Sequence, residues 1–99
     1  MVTTPPRIAL GDRVTPAHDV RYREFDDELV MVDLQGGEYF ALDAIGRRMW
    51  NELASGKSPL EVAASMATEF DATQDQIARD CLALADELIG RGLLVRRVP

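Results

Sequence analysis

The 99-residue chain has one cysteine, Cys81, and one histidine, His18. A lone thiol excludes an intrachain disulfide and a multi-cysteine metal site, and such usage suits a reducing compartment. Long apolar runs are missing as well. No segment approaches the roughly eighteen residues needed to span a bilayer, and Met1 to Arg13 holds no apolar stretch of signal-peptide length, so the expected location is cytoplasmic. Basic charge is scarce: eleven Lys and Arg stand against seventeen Asp and Glu, a formal net charge of −6. That balance argues against a surface for phosphate backbones or anionic lipid, so neither nucleic acid nor a membrane is expected as a partner. No phosphate-cradling glycine loop and no internal repeat is present; Gly36-Gly37 is followed by a strand pattern, not a helix. What is there is a globular balance, 46% hydrophobic and 28% charged. A chain of this length buries roughly 65% of its extended surface, enough for one core.

The charge is unevenly spread. Residues 1–25 carry +1, residues 26–55 carry −5, residues 56–90 carry −5 and residues 91–99 carry +3. We expect an N-terminal arm over 1–19, loosened by Thr3-Thr4-Pro5-Pro6, a single domain over 20–95, and a short basic tail over 96–99. Val20 to Leu42 reads as strands. Val20-Arg21-Tyr22-Arg23 alternates, Phe25-Asp26-Asp27-Glu28 supplies turn chemistry, and Leu29 to Leu34 is an apolar run of strand length. Gln35-Gly36-Gly37 then turns the chain into a further strand, Glu38-Tyr39-Phe40-Ala41-Leu42.

After Leu42 the apolar period changes to that of helices. Asp43 is an N-cap for a first helix carrying Ile45, Met49, Trp50 and Leu53 and ending near Ser55-Gly56. Ser58-Pro59-Leu60-Glu61 is a capping box with proline at the first helical position, opening a second helix that runs to about Phe70. Thr73-Gln74-Asp75-Gln76 repeats the capping pattern before Ile77, Cys81, Leu84 and Leu88, and Gly92 ends this third helix. Leu93-Leu94-Val95 is long enough only for a brief extended return. Three strands followed by three helices define an α+β fold, a winged-helix-like three-stranded antiparallel sheet whose apolar face the helices cover.

Catalytic chemistry is thinly supplied. His18 beside Pro16 reads as a solvated loop residue, and Cys81 lies in an apolar helical stripe where cysteine behaves as a small hydrophobe. Asp26-Asp27-Glu28 lacks the alternating ligands and internal glycine of a calcium loop. Trp50 reads as core, with an exposed anchor for a partner as the alternative. We therefore expect no enzyme, no catalytic residues, no metal and no cofactor.

A peptide-binding surface is the stronger reading. Glu38 to Leu42 is an edge strand without the lysines or prolines that usually blunt one, so it is either covered or used. At 100° per residue, Ile77, Leu84, Leu88, Cys81, Ala85, Ala78, Ile89 and Leu82 of the third helix form an apolar arc of about 160°, wider than the stripe a surface helix needs. One rim carries Leu84 with Asp80, Ala83 and Glu87; the other carries Leu82 with Asp75 and Asp86. Pattern alone leaves open which rim faces the edge strand, and whether the whole arc packs against the other helices. The acidic third helix also argues against the rival use of this architecture, a winged-helix DNA-binding regulator: residues 74–90 set Arg79 against Asp75, Asp80, Asp86 and Glu87, a sign that phosphates repel.

The residues also carry a resemblance. Leu29-Val30-Met31-Val32-Asp33-Leu34, then Gly37-Glu38-Tyr39-Phe40-Ala41-Leu42-Asp43 with Gly46 and Trp50, is similar to the PqqD-like family. So are Ser58-Pro59-Leu60-Glu61 and the ending Leu88-Ile89-Gly90-Arg91-Gly92-Leu93-Leu94, so that the likeness covers Val20 to Val95. The resemblance implies a recognition element of pathways for ribosomally made, post-translationally modified peptides. Such a domain holds the precursor's leader peptide as a fourth strand beside the third helix. Carried over, the peptide-binding residues are Glu38, Tyr39, Phe40, Ala41 and Leu42, with Asp80, Ala83, Leu84 and Glu87 as the groove wall. The Asp33-x-x-Gly36 turn and the following strand look more like the stand-alone members of lasso-peptide clusters, which work with a leader peptidase and a cyclase. The alternative within the family is the peptide chaperone of pyrroloquinoline quinone biosynthesis. The negative charge around the expected groove predicts a leader bound through backbone and apolar anchors, helped by basic residues and tolerating acidic ones only away from Asp80 and Glu87.

Overall fold

In the computed structural model of the chain, residues 8–97 are described; the expectations for Thr3 to Pro6 and for Val98-Pro99 lie outside them. The elements are β1 (Val14–Pro16), β2 (Val20–Phe25), β3 (Glu28–Asp33), β4 (Tyr39–Leu42), α1 (Ala44–Ala54), α2 (Pro59–Ala67), α3 (Gln74–Gly90) and β5 (Leu94–Arg96). The sheet β2-β3-β4 is an antiparallel meander followed by the three helices, the expected α+β order. Its register sets Tyr22 opposite Met31 opposite Phe40, and Val20 opposite Asp33. Because opposed residues share a face, Val20, Leu29, Met31 and Leu42 all turn inward and are buried.

The local signals act much as their chemistry requires. Asp43 Oδ1 accepts the Gly46 N–H at 2.9 Å. Ser58 Oγ accepts the Glu61 N–H at 3.2 Å while Glu61 Oε1 accepts the Ser58 N–H at 2.9 Å, completing the capping box. At α3 only half of the expected box forms. Thr73 Oγ1 accepts the Gln76 N–H, but the Gln76 side chain turns along the helix to donate to Asp80 at 3.0 Å. The second helix also stops earlier than its pattern suggests, because Glu69 N–H and Phe70 N–H both fold back to the Met66 carbonyl. Gly92 does end α3: at φ +76° it lets its own N–H reach the Ile89 carbonyl and the Leu93 N–H reach the Leu88 carbonyl. The chain is thereby redirected into β5.

Trp50, Leu53, Met66, Cys81 and Leu88 form the middle of the core at 0–1% exposure. Each leucine-sized side chain so buried contributes about 1.5–3 kcal/mol. The Trp50 and Tyr22 rings also meet in a T-shaped contact, 5.1 Å between centroids. Arg48 pairs with Glu52 within α1 and with Glu69 just past the end of α2. Burial alone would raise the Glu52 pKa, but hydrogen bonds from Arg48 and Lys57 outweigh it and hold the carboxyl below its ordinary value.

One part of the architecture is not in the sequence reading. Val14–Pro16, expected within the arm, pairs antiparallel with β5 as a separate two-stranded ribbon. Ile8 and Val14 are buried in the common core. The segment is also held by polar contacts: Arg13 meets Glu61 at 2.5 Å, Arg96 meets Asp12 at 3.4 Å, and Arg97 N–H reaches the Arg13 carbonyl. With the Arg13 hydrogen bond as the largest cause, the Glu61 pKa falls to about 2.

Candidate functional site

The hydrogen-bond ladder decides what β4 offers to a partner. Asp33 N–H donates to the Glu38 carbonyl at 2.9 Å, and in an antiparallel pair bonded positions recur every second residue. Met31–Phe40 and Leu29–Leu42 are therefore the bonded pairs. The N–H and C=O groups of Tyr39 and Ala41 point away from β3. Among the described residues no strand covers that edge. The Asp33 turn fixes the geometry: Asp33 Oδ1 accepts the Gln35 N–H at 3.0 Å, and Gly37 at φ +73° donates to the Asp33 carbonyl.

The other edge of the sheet is built differently. β2 carries Arg21, Arg23 and Glu24, and Glu24 Oε1 accepts hydrogen bonds from Arg47 at 3.0 Å and Asn51 at 3.1 Å. Charge blunts that edge against pairing, whereas Tyr39-Phe40-Ala41-Leu42 has none. An open concavity of about 480 Å³ does lie on the sheet beside Arg21, Arg23, Phe25, Val30 and Val32. It lies on the face of β2 and β3 beside the charged edge, so β4 is the edge better suited to main-chain pairing.

α3 runs alongside β4 and the start of α1, with a cavity at each of two places along this seam. At one end Ile45 and Met49 of α1, Met66 and Phe70 from α2 and its end, and Ile77 and Asp80 of α3 line an apolar well of about 250 Å³. At the other end the Arg91 guanidinium stacks on the Phe40 ring, 4.6 Å from its centroid, and Glu87 accepts Arg91 Nη2 at 3.2 Å. These two contacts answer the question of the rims. Asp80, Leu84, Glu87 and Arg91, spaced four, three and four apart, form the side of α3 turned toward β4.

Each expected site residue can now be placed. Tyr39 is 74% exposed and Ala41 is exposed, while Phe40 is half-buried and Leu42 buried, their side chains alternating across the sheet. Glu38 lies just before the strand and contributes its carbonyl to the ladder. Leu84 is half-buried at the margin of the core; Asp80, Ala83 and Glu87 are exposed. Most of the wide α3 arc is core, with Ile77, Ala78, Cys81, Ala85 and Leu88 buried and Leu82, Leu84 and Ile89 packed at its margins. The charge pattern is also more local than segment totals suggest, because Glu87 is paired with Arg91. Arg91, Ile45, Met49 and Phe70 are absent from the sequence-derived site. For Arg91 a signal exists, since it follows Glu87 by four residues; the apolar three could be read only as core.

Cys81 is buried in the core. Burial pushes Cys81 up to about 12, with Glu52 adding to the shift. His18 is exposed in the turn before β2. Among the described residues no three His, Cys, Asp or Glu side chains gather where they could hold a metal ion, and no helix is long and apolar enough to cross a membrane.

The architecture defines a class of small α+β domains in which a three-stranded meander leaves its last strand unpaired beside the third helix. The chain belongs to the PqqD family: the family described as coenzyme PQQ synthesis protein D matches residues 28–94. Among solved structures, it is similar to TbiB1 in complex with the TbiA(beta) leader peptide, at 34% identity and a TM-score of 0.76 over 81% of this chain and 93% of that one. It also shares its fold with a lasso peptide synthetase B1 complexed with the leader peptide, at 24% identity and a TM-score of 0.79 over 84% of this chain and 98% of that one. No curated protein sequence matches the chain.

Proposed function

We propose that the protein is a non-catalytic recognition domain that takes the leader region of a ribosomally made precursor peptide as a fourth strand on β4. It then presents the peptide to the leader peptidase and cyclase of a lasso-peptide pathway in the cytoplasm. The observation that carries this reading is the unblunted edge with the N–H and C=O groups of Tyr39 and Ala41 directed outward, near an apolar well lined by α1, α3 and the end of α2. Strand addition satisfies those groups while alternate peptide side chains enter the groove. Membership of the PqqD family and the likeness to TbiB1 in its leader complex support it. On this reading Phe40, Leu42, Asp80, Ala83, Leu84 and Glu87 meet side chains, and Tyr39 and Ala41 supply the main-chain contacts. Glu38 stands at the end of the bound segment.

The family description favours one alternative pathway, the peptide chaperone of pyrroloquinoline quinone synthesis. Gene neighbours separate the two: a short precursor beside a transglutaminase-like peptidase and an asparagine-synthetase-like cyclase, or beside a radical enzyme. The direct test is a fluorescence-polarisation titration with the labelled leader of the neighbouring precursor. Saturable binding that a scrambled leader does not reproduce is expected; no binding at protein concentrations well above those of the cell contradicts the proposal.

A further inference from the structure

The two cavities along the seam between α3 and β4 with α1 differ in room. The well beside Ile45, Met49, Phe70 and Ile77 holds about 250 Å³, but the cleft among Asp33, Glu38, Tyr39, Phe40, Arg91 and Leu93 holds about 10 Å³. Arg91 fills it. The guanidinium lies on the Phe40 ring and is held there by Glu87, which accepts from both Nε and Nη2. Its backbone position is fixed too, because Arg91 caps α3 through its N–H to the Glu87 carbonyl immediately before the Gly92 turn.

The register of an added strand follows from the outward groups. An antiparallel peptide bonds opposite Tyr39 and Ala41, so its residue opposite Phe40 occupies a non-bonded pair. Side chains approach most closely there, and this one falls on the face of Phe40. That face is the one Arg91 occupies. The residue opposite Leu42, two positions nearer the peptide's amino terminus, falls on the same face toward the open well.

We propose that Arg91 is a specificity-determining residue: stacked on Phe40, it admits only a small side chain on the peptide residue opposite Phe40, while the open end of the groove takes the large apolar one. The inference rests on strand addition to β4. It goes beyond it in naming a size filter and the residue that sets it. A planar guanidinium held on an aromatic face by a paired carboxylate keeps its place better than a flexible ammonium would, so Arg91→Lys relaxes the filter and Arg91→Ala removes it.

The test is a bump-and-hole titration. Each residue across the bound segment of the neighbouring precursor's leader is replaced singly by Phe, and every peptide is titrated by fluorescence polarisation against the wild type, Arg91→Lys and Arg91→Ala. Thermal melts of the free proteins show that the variants fold. One position is expected at which Phe weakens wild-type binding at least tenfold and Arg91→Ala restores it to within threefold of the parent leader, with Arg91→Lys between. Rescue at no position, or equal rescue at every position, overturns the size filter while leaving strand addition standing. Failure of the parent leader to bind wild-type protein refutes strand addition itself, and the filter with it.

Discussion

Replacing Ala41 by proline separates peptide pairing from folding. The ladder to β3 runs through Phe40 and Leu42, so the Ala41 N–H makes no bond within the sheet. Proline removes that outward donor and leaves the opposing peptide carbonyl unmatched. A lost main-chain hydrogen bond is worth about 1 kcal/mol, and an acceptor stranded at a dried interface about 1–3 kcal/mol more. A combined loss of about 2–4 kcal/mol corresponds to leader binding weakened by about 30- to 900-fold. Folding suffers less: the position is an exposed edge, and restricting φ there costs no more than about 1–2 kcal/mol. Ala41→Val, which keeps the N–H, serves as the control and should bind within about threefold of wild type. Leader affinity by fluorescence polarisation and unfolding by circular dichroism give the two quantities. Undiminished affinity in a folded Ala41→Pro variant would refute strand addition at this edge.

Two further expectations concern the fold around the site. Because the Glu61 carboxyl titrates at about 2 in the folded chain against an ordinary 4.5, the contribution it makes through Arg13 and the Ser58 cap is complete above that ordinary value and is lost as the pH falls toward about 2. Glu61→Gln should therefore melt lower than wild type at neutral pH and lose less on acidification; parallel melting curves for the two proteins across that range would contradict the assignment. Cys81, buried and with its thiol pushed up to about 12, should resist iodoacetamide at mild alkaline pH in the native protein and react once guanidinium unfolds it. Rapid native alkylation would mean that the core around α3 opens.

The parts of the fold that were legible in the sequence are those decided locally. Asp43, Ser58 and Thr73 announce their helices because a short polar side chain must satisfy the first free N–H groups. Gly36-Gly37 announces its turn, since residue 37 takes a positive φ. The β1–β5 ribbon could not be read in the same way. It joins segments of three residues each from opposite ends of the chain, too short for periodicity and paired by contacts that no local pattern encodes. Ile8 is a core residue for the same reason, an isolated apolar side chain whose burial depends on where the chain happens to return.

The site divides along the same line. That Tyr39-Phe40-Ala41-Leu42 is an unblunted edge follows from composition. Which of its N–H groups point outward follows only from the register that the Asp33 turn imposes. The facing rim of α3 was undecidable from the helical wheel, because both rims carry carboxylates. Arg91 over Phe40 and Ile45 beside Ile77 and Asp80 decide it, and both are contacts between elements far apart in the chain. The net charge of −6 likewise says less than its pairing: Glu87 faces the groove with its charge already matched by Arg91.

Amide hydrogen exchange, read by NMR on the labelled protein with and without saturating leader peptide, tests the central claim most directly. In the free protein the Tyr39 and Ala41 N–H groups should exchange quickly while those of Phe40 and Leu42, bonded to β3, exchange slowly. On binding, Tyr39 and Ala41 should become protected by at least tenfold, with the outward-facing Tyr22 and Glu24 amides of the other edge strand unchanged. Tight leader binding that leaves the Tyr39 and Ala41 amides as exposed as before would place the peptide elsewhere and contradict the account.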